Sequence, residues 1–352
     1  MIESNKSQLA SLQVGRGLAA MSVVFAHAAL GTRDFVAPLP QIAQSVFSFG
    51  WLGVDFFFVL SGFIIYYSTS ELERTWKSAR HYVVQRTVRV YIPYLPISIA
   101  LVLVYYYGNV GNGRHWSILS SLTLLPSSLP PALSVAWTLQ HEIVFYTIFA
   151  VGFFFNRLLG VMCCWAVAIV VTSFLIVPIA QPWAIVFDRI NLEFLFGMLA
   201  AVVFTKGYAR NSVIPYIVSA TALYAWFIVS ADRSNSVLVG LAMAAAVVPI
   251  VYQDTLISRK YHKYLLLLGA ASYALYLVHN PLISVTSRIA AKIYWLSNPW
   301  IALTFSIGAS TVVGIAYHLW FERPATRSIK SRMIGTQKPP KASHSVHSTG
   351  SL

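Results

Sequence analysis

Charged residues are scarce in this sequence, and their scarcity excludes an ordinary soluble domain. Asp, Glu, Lys and Arg make up 10% of the 352 residues, whereas 57% of the residues are hydrophobic. A typical soluble domain carries about 25% charged residues, because its surface must be compatible with water. The composition therefore predicts an integral membrane protein.

Cysteine is almost absent as well. The two cysteines, Cys163 and Cys164, are adjacent in an apolar run and have no other cysteine to pair with. Neither a disulfide framework nor a cysteine-based metal site fits this arrangement. His141 and Glu142 resemble the start of a His-Glu-x-x-His zinc motif, but residue 145 is Phe. We therefore expect no metal site and no bound cofactor.

Ten stretches are long and apolar enough to cross a bilayer, whose hydrocarbon core needs roughly 20 mostly apolar residues per helix. They lie near residues 13–31, 49–68, 90–108, 135–155, 158–178, 188–205, 212–230, 236–252, 264–286 and 299–321. The sequence thus predicts an all-α fold of about ten transmembrane helices. It predicts a membrane domain over residues 1–324 and a basic, disordered cytoplasmic tail over residues 325–352.

Lys and Arg are distributed unevenly between the two sides of these spans. With the N-terminus in the cytoplasm, nineteen of the 25 Lys and Arg residues fall on the cytoplasmic side, as the positive-inside rule requires. An even number of spans then places the C-terminus in the cytoplasm too. The net charge of +14 reflects this topology and attraction to anionic membrane lipids. No basic stripe interleaved with exposed aromatics indicates nucleic-acid binding.

Ionisable residues inside the predicted spans fall into two groups, and in a membrane such residues are functional hypotheses. One group comes from five helices and lies in the outer half of the membrane by our assignment: His27, Asp55, Glu142, Glu193 and His279. The other group collects at the cytoplasmic ends: Arg16, Arg86, Arg89 and Arg323. We predict an anionic group held at the cytoplasmic side and chemistry nearer the outer side.

Arg16 and His27 belong to one helix and lie eleven residues apart. At 3.6 residues per turn and 1.5 Å per residue, both project from one face with about 16 Å between their α-carbons. An arginine can hold a phosphate, and a histidine can take a proton from a hydroxyl group. The spacing alone leaves two alternatives open: Arg16 as an interface anchor and His27 as a packing residue.

Six segments along the chain form a recognisable pattern. They are Arg16 to His27, the glycine-rich aromatic run 50–63 around Asp55, Arg86-Thr-Val-Arg89 with Tyr91 and Pro93 after it, Trp137 to Tyr146 with Thr138 in place of the commoner Ser, Ser272-Tyr273 to His279, and Glu322-Arg323-Pro324. Together they resemble the acyltransferase-3 family of membrane-integral sugar O-acyltransferases, over residues 16–324.

The resemblance implies an O-acyltransferase of the exopolysaccharide O-acetyltransferase type. Its donor would be a cytoplasmic acyl donor, usually acetyl-CoA, used as a substrate rather than a bound cofactor. Its acceptor would be a hydroxyl of a cell-surface polysaccharide or of a lipid-linked oligosaccharide precursor. The protein would be multi-pass in the bacterial cytoplasmic (inner) membrane, among membrane lipids, and a homo-oligomer is compatible with this.

The chemistry needs a base, because a neutral alcohol attacks a thioester slowly, and the resemblance assigns that role to His27. Asp55 is expected to orient the imidazole as a carboxylate does in a catalytic triad. Glu142 is expected to hold either His27 or the acceptor hydroxyls. A covalent acyl-histidine intermediate and direct transfer both remain open.

Two further sets of residues are expected to bind substrates. Donor phosphates are expected to contact Arg16, Arg86 and Arg89. The residues expected to contact the acceptor or line a pore are Trp137, Ser272, Tyr273 and His279. For Arg86 and Arg89, ordinary positive-inside charge is the alternative.

Two other functions suit a helical membrane protein. A transporter or flippase of lipid-linked saccharides would predict inverted repeats and matching broken helices, which the sequence does not show. A scaffold subunit without chemistry would not explain why buried ionisable residues share one depth. Acyl transfer is therefore the function that we expect.

Overall fold

The chain is described by a computed structural model, which covers residues 9–108, 115–174, 179–209, 212–229, 236–257 and 263–334. Regular structure within these ranges is entirely helical. The α-helices are α1 Ala10–Phe35, α2 Gln41–Ser48, α3 Leu52–Thr69, α4 Trp76–Tyr107, α5 Ile118–Thr123, α6 Trp137–Phe154, α7 Leu158–Phe174, α8 Trp183–Val186, α9 Asn191–Lys206, α10 Ile214–Val229, α11 Ser236–Ile257, α12 Lys263–Ala270, α13 Ser272–Ala290, α14 Pro299–Tyr317 and α15 Arg323–Ile334.

Five helical segments of the described residues are long and apolar enough to cross a membrane, which confirms an all-helical membrane protein. They are Ala10–Phe35, Gln41–Thr69, Trp76–Tyr107, Ser236–Asp254 and Pro299–Met333. The pair α12 and α13, bent by 68° at its break, forms a sixth span if the two helices cross together. Within the described residues, each of the ten stretches named from the sequence includes a helix, and residues 175–178 and 230 of two of the stretches lie outside the described residues. Ten crossings stay a prediction.

The structure corrects the predicted tail at its start. Residues 325–334 are helical rather than disordered, because α15 continues from α14 through a wider π-helical turn at His318–Glu322. α15 packs against α4, and a polar helix of this length is marginal in water without such a tertiary contact. Composition alone does not reveal this contact. The rest of the tail, residues 335–352, lies outside the described residues.

Glycines bring α3 very close to α9. A Cβ atom on Gly62 would lie 1.9 Å from the carbonyl oxygen of Phe194, and one on Gly197 would lie 1.9 Å from that of Val59. Small residues permit such close backbone approach in membrane helices, where van der Waals packing drives association. The two glycines therefore fix the depth of α3 relative to α9.

Glycines likewise bring α1 close to two neighbouring helices, α3 and α12. A Cβ atom on Gly53 of α3 would lie 2.3 Å from the carbonyl oxygen of Ala19, and one on Gly269 of α12 would lie 1.9 Å from that of Gln13. α1 also contacts α11, α13 and α14. The helix that carries Arg16 and His27 is thus enclosed by the bundle.

Gly62→Ala should destabilise the fold, because the added methyl group meets a backbone carbonyl that cannot move without separating α3 from α9. Overpacking of this kind costs about 1–3 kcal/mol. Gly160→Ala in α7 is the matched control, since no atom lies within 4 Å of a Cβ built there. Thermal denaturation of the detergent-purified variants checks this, and equal melting of both variants would contradict the packing.

Candidate functional site

Three cavities adjoin one another along the bundle. We call them the basic cavity, of about 810 Å³, the central chamber, of about 50 Å³, and the histidine cavity, of about 500 Å³. Arg16, Arg89 and Tyr273 line both the basic cavity and the central chamber. Val54 and Tyr276 line both the central chamber and the histidine cavity. The cavities therefore form a series with a narrow middle.

The basic cavity has a large excess of positive charge. Among the described residues that line it, six are cationic: Arg16, Arg89, Lys263, Arg323, Arg327 and Lys330. One carboxylate, that of Glu322, lines it too, and its Oε2 is 2.8 Å from Nδ1 of His318. Clustered cations of this kind are stabilised by charge-assisted hydrogen bonds to a multiply charged anion. The basic cavity is therefore a candidate anion-binding site.

Arg86 stands behind this cavity rather than on it. Its Nη2 donates to Oγ of Ser68 at 2.9 Å, and its guanidinium lies 5.5 Å and 5.6 Å from the ring centroids of Tyr82 and Tyr146. The sequence predicts that Arg86 and Arg89 both contact donor phosphates. Of these two arginines, only Arg89 lines the cavities. Arg86 instead contacts the wall of the basic cavity through Ser68.

Glu142 lines the central chamber, whereas the sequence predicts it at the depth of His27, which lines the histidine cavity. It lines the central chamber together with Arg16 and Arg89, and its Oε1 accepts from the Tyr146 hydroxyl group. α6 starts with Trp137 at the histidine cavity and descends by more than one turn before it reaches Glu142. The carboxylate therefore shares a chamber with the two arginines, and its expected role toward His27 or the acceptor hydroxyls stays a prediction.

His27 lines the histidine cavity and is half-buried. Its Nδ1–H group donates to the carbonyl oxygen of Val23 at 2.9 Å. A carbonyl oxygen can only accept, so Nδ1 carries the proton, and Nε2 of the neutral ring is the proton acceptor. This is the tautomer that a general base needs.

His279, a member of the predicted acceptor set, packs against His27. The two ring centroids are 5.0 Å apart, in an edge-to-face arrangement. His279 is fully buried, and its Nδ1–H donates to the Leu275 carbonyl oxygen at 3.2 Å. The described residues provide no hydrogen-bond partner for its Nε2. Two histidines with the same tautomer, from α1 and α13, thus pack together, and of the two His27 lines this cavity.

Asp55 is fully buried and faces α9, where its carboxyl group interacts with that of Glu193. Gly53, two residues earlier, faces α1, and at 100° per residue Asp55 projects toward roughly the opposite side of α3. The role of Asp55 in orienting His27 stays a prediction. Glu193, to which the sequence assigned no role, is its carboxyl neighbour.

The other residues predicted to contact the acceptor or line a pore do line the cavities. Ser272 and Tyr273 begin α13 directly after the bend and line the central chamber, while Trp137 lines the histidine cavity. The Tyr273 hydroxyl donates to the carbonyl oxygen of Val90 at 3.0 Å. At the narrow border, the hydroxyl groups of Thr138 and Tyr276 are 3.0 Å apart.

The sequence analysis missed α2, which covers one side of the histidine cavity. One face of this helix lines the cavity with amide and hydroxyl groups: Gln41, Gln44, Ser45 and Ser48. Ile42 and Val46 on the opposite face are 82% and 61% exposed. The spacing i, i+3, i+4, i+7 of the polar residues was visible in the sequence, but the segment is too short to be recognised as a span.

Comparison with known proteins identifies a family and a relative of this chain. The sequence profile of the family described as Acyltransferase domain matches residues 9–319, which include α1 to α14 and all the predicted site residues. The curated exopolysaccharide production protein ExoZ of Rhizobium meliloti (strain 1021) is 27% identical over 314 residues, which cover 82% of this chain and 93% of that protein. No solved structure matches the chain.

Glu193→Gln should leave the fold intact. Two adjoining buried carboxyl groups share a proton more readily than both ionise, and the amide reproduces the protonated partner. Glu193→Ala removes that partner and leaves a cavity beside Gly240, whose Cβ position lies 2.6 Å from Cγ of Glu193. Truncations of this size cost about 2–5 kcal/mol. Melting temperature and folded yield in detergent check this, and equal losses for both variants would contradict a shared proton.

Proposed function

The chain belongs to the acyltransferase-3 family, and we propose that it transfers an acetyl group from acetyl-CoA to a sugar hydroxyl. The acceptor is a cell-surface polysaccharide or its lipid-linked precursor, and the relative that is named for exopolysaccharide production supports this class. The observation that carries the proposal is the series of cavities, which joins a cavity lined by six cations to a cavity lined by His27.

The basic cavity suits the phosphates of acetyl-CoA. Arg16 and Arg89 stand where this cavity meets the central chamber, so they are placed for the diphosphate from which the pantetheine arm begins. The chamber, of about 50 Å³, is too small for a nucleotide or a sugar but suits a thin, extended arm. With about 16 Å between the α-carbons of Arg16 and His27, such an arm brings the thioester toward the histidine cavity.

The histidine cavity suits a sugar. The polar face of α2 offers amide and hydroxyl groups that hydrogen-bond to sugar hydroxyls, and Trp51 and Trp137 add flat apolar surface. Such a mixture of apolar walls and a few placed polar groups is typical of small-molecule sites. His27 lies on the wall of this cavity, within reach of a bound hydroxyl.

The reaction then proceeds by direct transfer. Nε2 of His27 takes the proton of the acceptor hydroxyl while its oxygen attacks the thioester carbonyl carbon. The carbon–sulfur bond breaks, an ester forms, and the departing thiolate of CoA receives the proton from the imidazolium. His279 keeps the ring of His27 in place through the edge-to-face contact.

This chemistry assigns a direction across the bacterial cytoplasmic membrane. Acetyl-CoA is cytoplasmic, so the basic cavity faces the cytoplasm and the histidine cavity faces outward. Both termini are then cytoplasmic with ten crossings, in agreement with the positive-inside distribution of Lys and Arg.

His27→Gln should lower acetyl transfer by roughly 10²–10⁴-fold, because an amide can hydrogen-bond but cannot accept the hydroxyl proton at neutral pH. The readouts are acetyl content of the glycan and release of free CoA from membranes, at matched protein levels. A transporter or flippase would release no CoA.

His141→Gln is the matched control for this test. His141 is buried away from the three cavities, and its Nδ1–H donates to Oδ1 of Asn191 at 3.0 Å. The control should keep most of the activity. Near-normal acetylation by His27→Gln would remove His27 as the base.

Cysteine labelling tests the orientation. Cys163 and Cys164 are exposed thiols, so both are first replaced by alanine. A membrane-impermeant maleimide should then label Ser128→Cys in intact spheroplasts, since residue 128 lies in the exposed loop between α5 and α6. It should label Lys77→Cys, at the exposed start of α4, only after permeabilisation. The reverse pattern would overturn the direction proposed for the membrane.

A further inference from the structure

α15 turns one basic face toward the basic cavity. Arg323, Thr326, Arg327 and Lys330 all line that cavity, and their spacing of i, i+3, i+4 and i+7 places them on a single helix face. The helix starts beyond residue 319, where the family match ends. Beyond Pro324, where the family resemblance ends, it adds Thr326, Arg327 and Lys330 to the lining of the cavity.

The end of α14 determines where this face points. The Tyr317 hydroxyl donates to the carbonyl oxygen of Pro93 in α4 at 2.8 Å. His318 and Glu322 then bond across the π-helical turn at 2.8 Å. Such turns occur often at functional sites, because they shift the register of the side chains that follow. α15 is thereby held against α4, with Lys330 electrostatically coupled to Arg86 and Arg89.

This arrangement favours an anion with several oxygens. Like charges at short range repel, so a half-buried lysine near two arginines is stabilised when a negative group enters. Oγ1 of Thr326 is buried without a hydrogen-bond partner among the described residues, and it offers one more donor. A phosphate monoester supplies both the charge and the acceptor oxygens.

The position of each cation along the cavities indicates which phosphate of the donor it would contact. Arg16 and Arg89 line both the basic cavity and the central chamber, so they are placed to bind the diphosphate next to the pantetheine arm. Arg327 and Lys330 line the basic cavity but not the central chamber. We propose that α15 binds the 3′-phosphate on the adenosine ribose of coenzyme A. This rests on the proposed function, and it makes α15 the element that distinguishes coenzyme A from carriers without that phosphate.

The test compares two donors in the full-length protein: acetyl-CoA and acetyl-3′-dephospho-CoA, which differ by this one phosphate. For the wild type, the KM for the dephospho donor should be higher by roughly tenfold or more, as expected for a charge-assisted hydrogen bond. Lys330→Gln and Arg327→Gln should raise the KM for acetyl-CoA by a similar factor and leave the KM for the dephospho donor unchanged.

Arg332→Gln is the control, because Arg332 is an exposed cation of the same helix that does not line the cavity. It should change neither KM. Arg327 is exposed, so Arg327→Gln carries the test if Lys330→Gln does not fold.

Two results would overturn the assignment of the 3′-phosphate: equal use of both donors by the wild type, or an equal rise in both KM values in the two α15 variants. A wild-type protein that cleaves neither thioester would instead overturn the proposed function itself.

Discussion

A charge within the hydrocarbon layer must face the protein interior and find a partner there, and this constraint organises the whole bundle. Arg16 and Arg89 satisfy it by sharing the central chamber with Glu142. Four further cations line the basic cavity at one end of the bundle: Lys263, Arg323, Arg327 and Lys330. The other end holds two histidines, whose neutral form needs no counter-charge. Positive charge in the interior is therefore concentrated at the basic cavity.

The close packing of α3 against its neighbours keeps the central chamber narrow. Gly53 rests on α1 and Gly62 rests on α9, so the backbone of α3 is fixed at two levels. Val54, Phe57 and Ser61, on a third face, line the central chamber. Because neither contact can relax without a backbone clash, the chamber keeps its small cross-section. That small cross-section separates the basic cavity from the histidine cavity, which we propose to bind the donor and the sugar, while the two cavities remain joined.

The sequence predicted best what one helix determines by itself. The distance and common face of Arg16 and His27 follow from helical geometry, and all the predicted spans fall on helices. Predictions that needed the neighbours of a helix were weaker. Depth along the membrane normal placed Glu142 beside His27, but it could not show that α6 descends to the arginines first. Composition labelled the start of α15 as disordered, because the contact with α4 that stabilises it lies in another part of the chain.

The cations of the basic cavity and His27 line different cavities. In the proposed reaction, donor binding and proton transfer therefore depend on different residues. In the proposed reaction the phosphates of the donor do not change, so the arginines and α15 would bind donor, transition state and released coenzyme A with similar strength. Such uniform binding lowers KM without raising kcat. His27 meets a proton that moves only in the transition state, and its contribution therefore falls on kcat. A tighter basic cavity would retain the product as well as the donor. This limits the useful charge of the cavity, and it gives a physical reason why several cations at its rim, Arg327 among them, remain exposed to solvent.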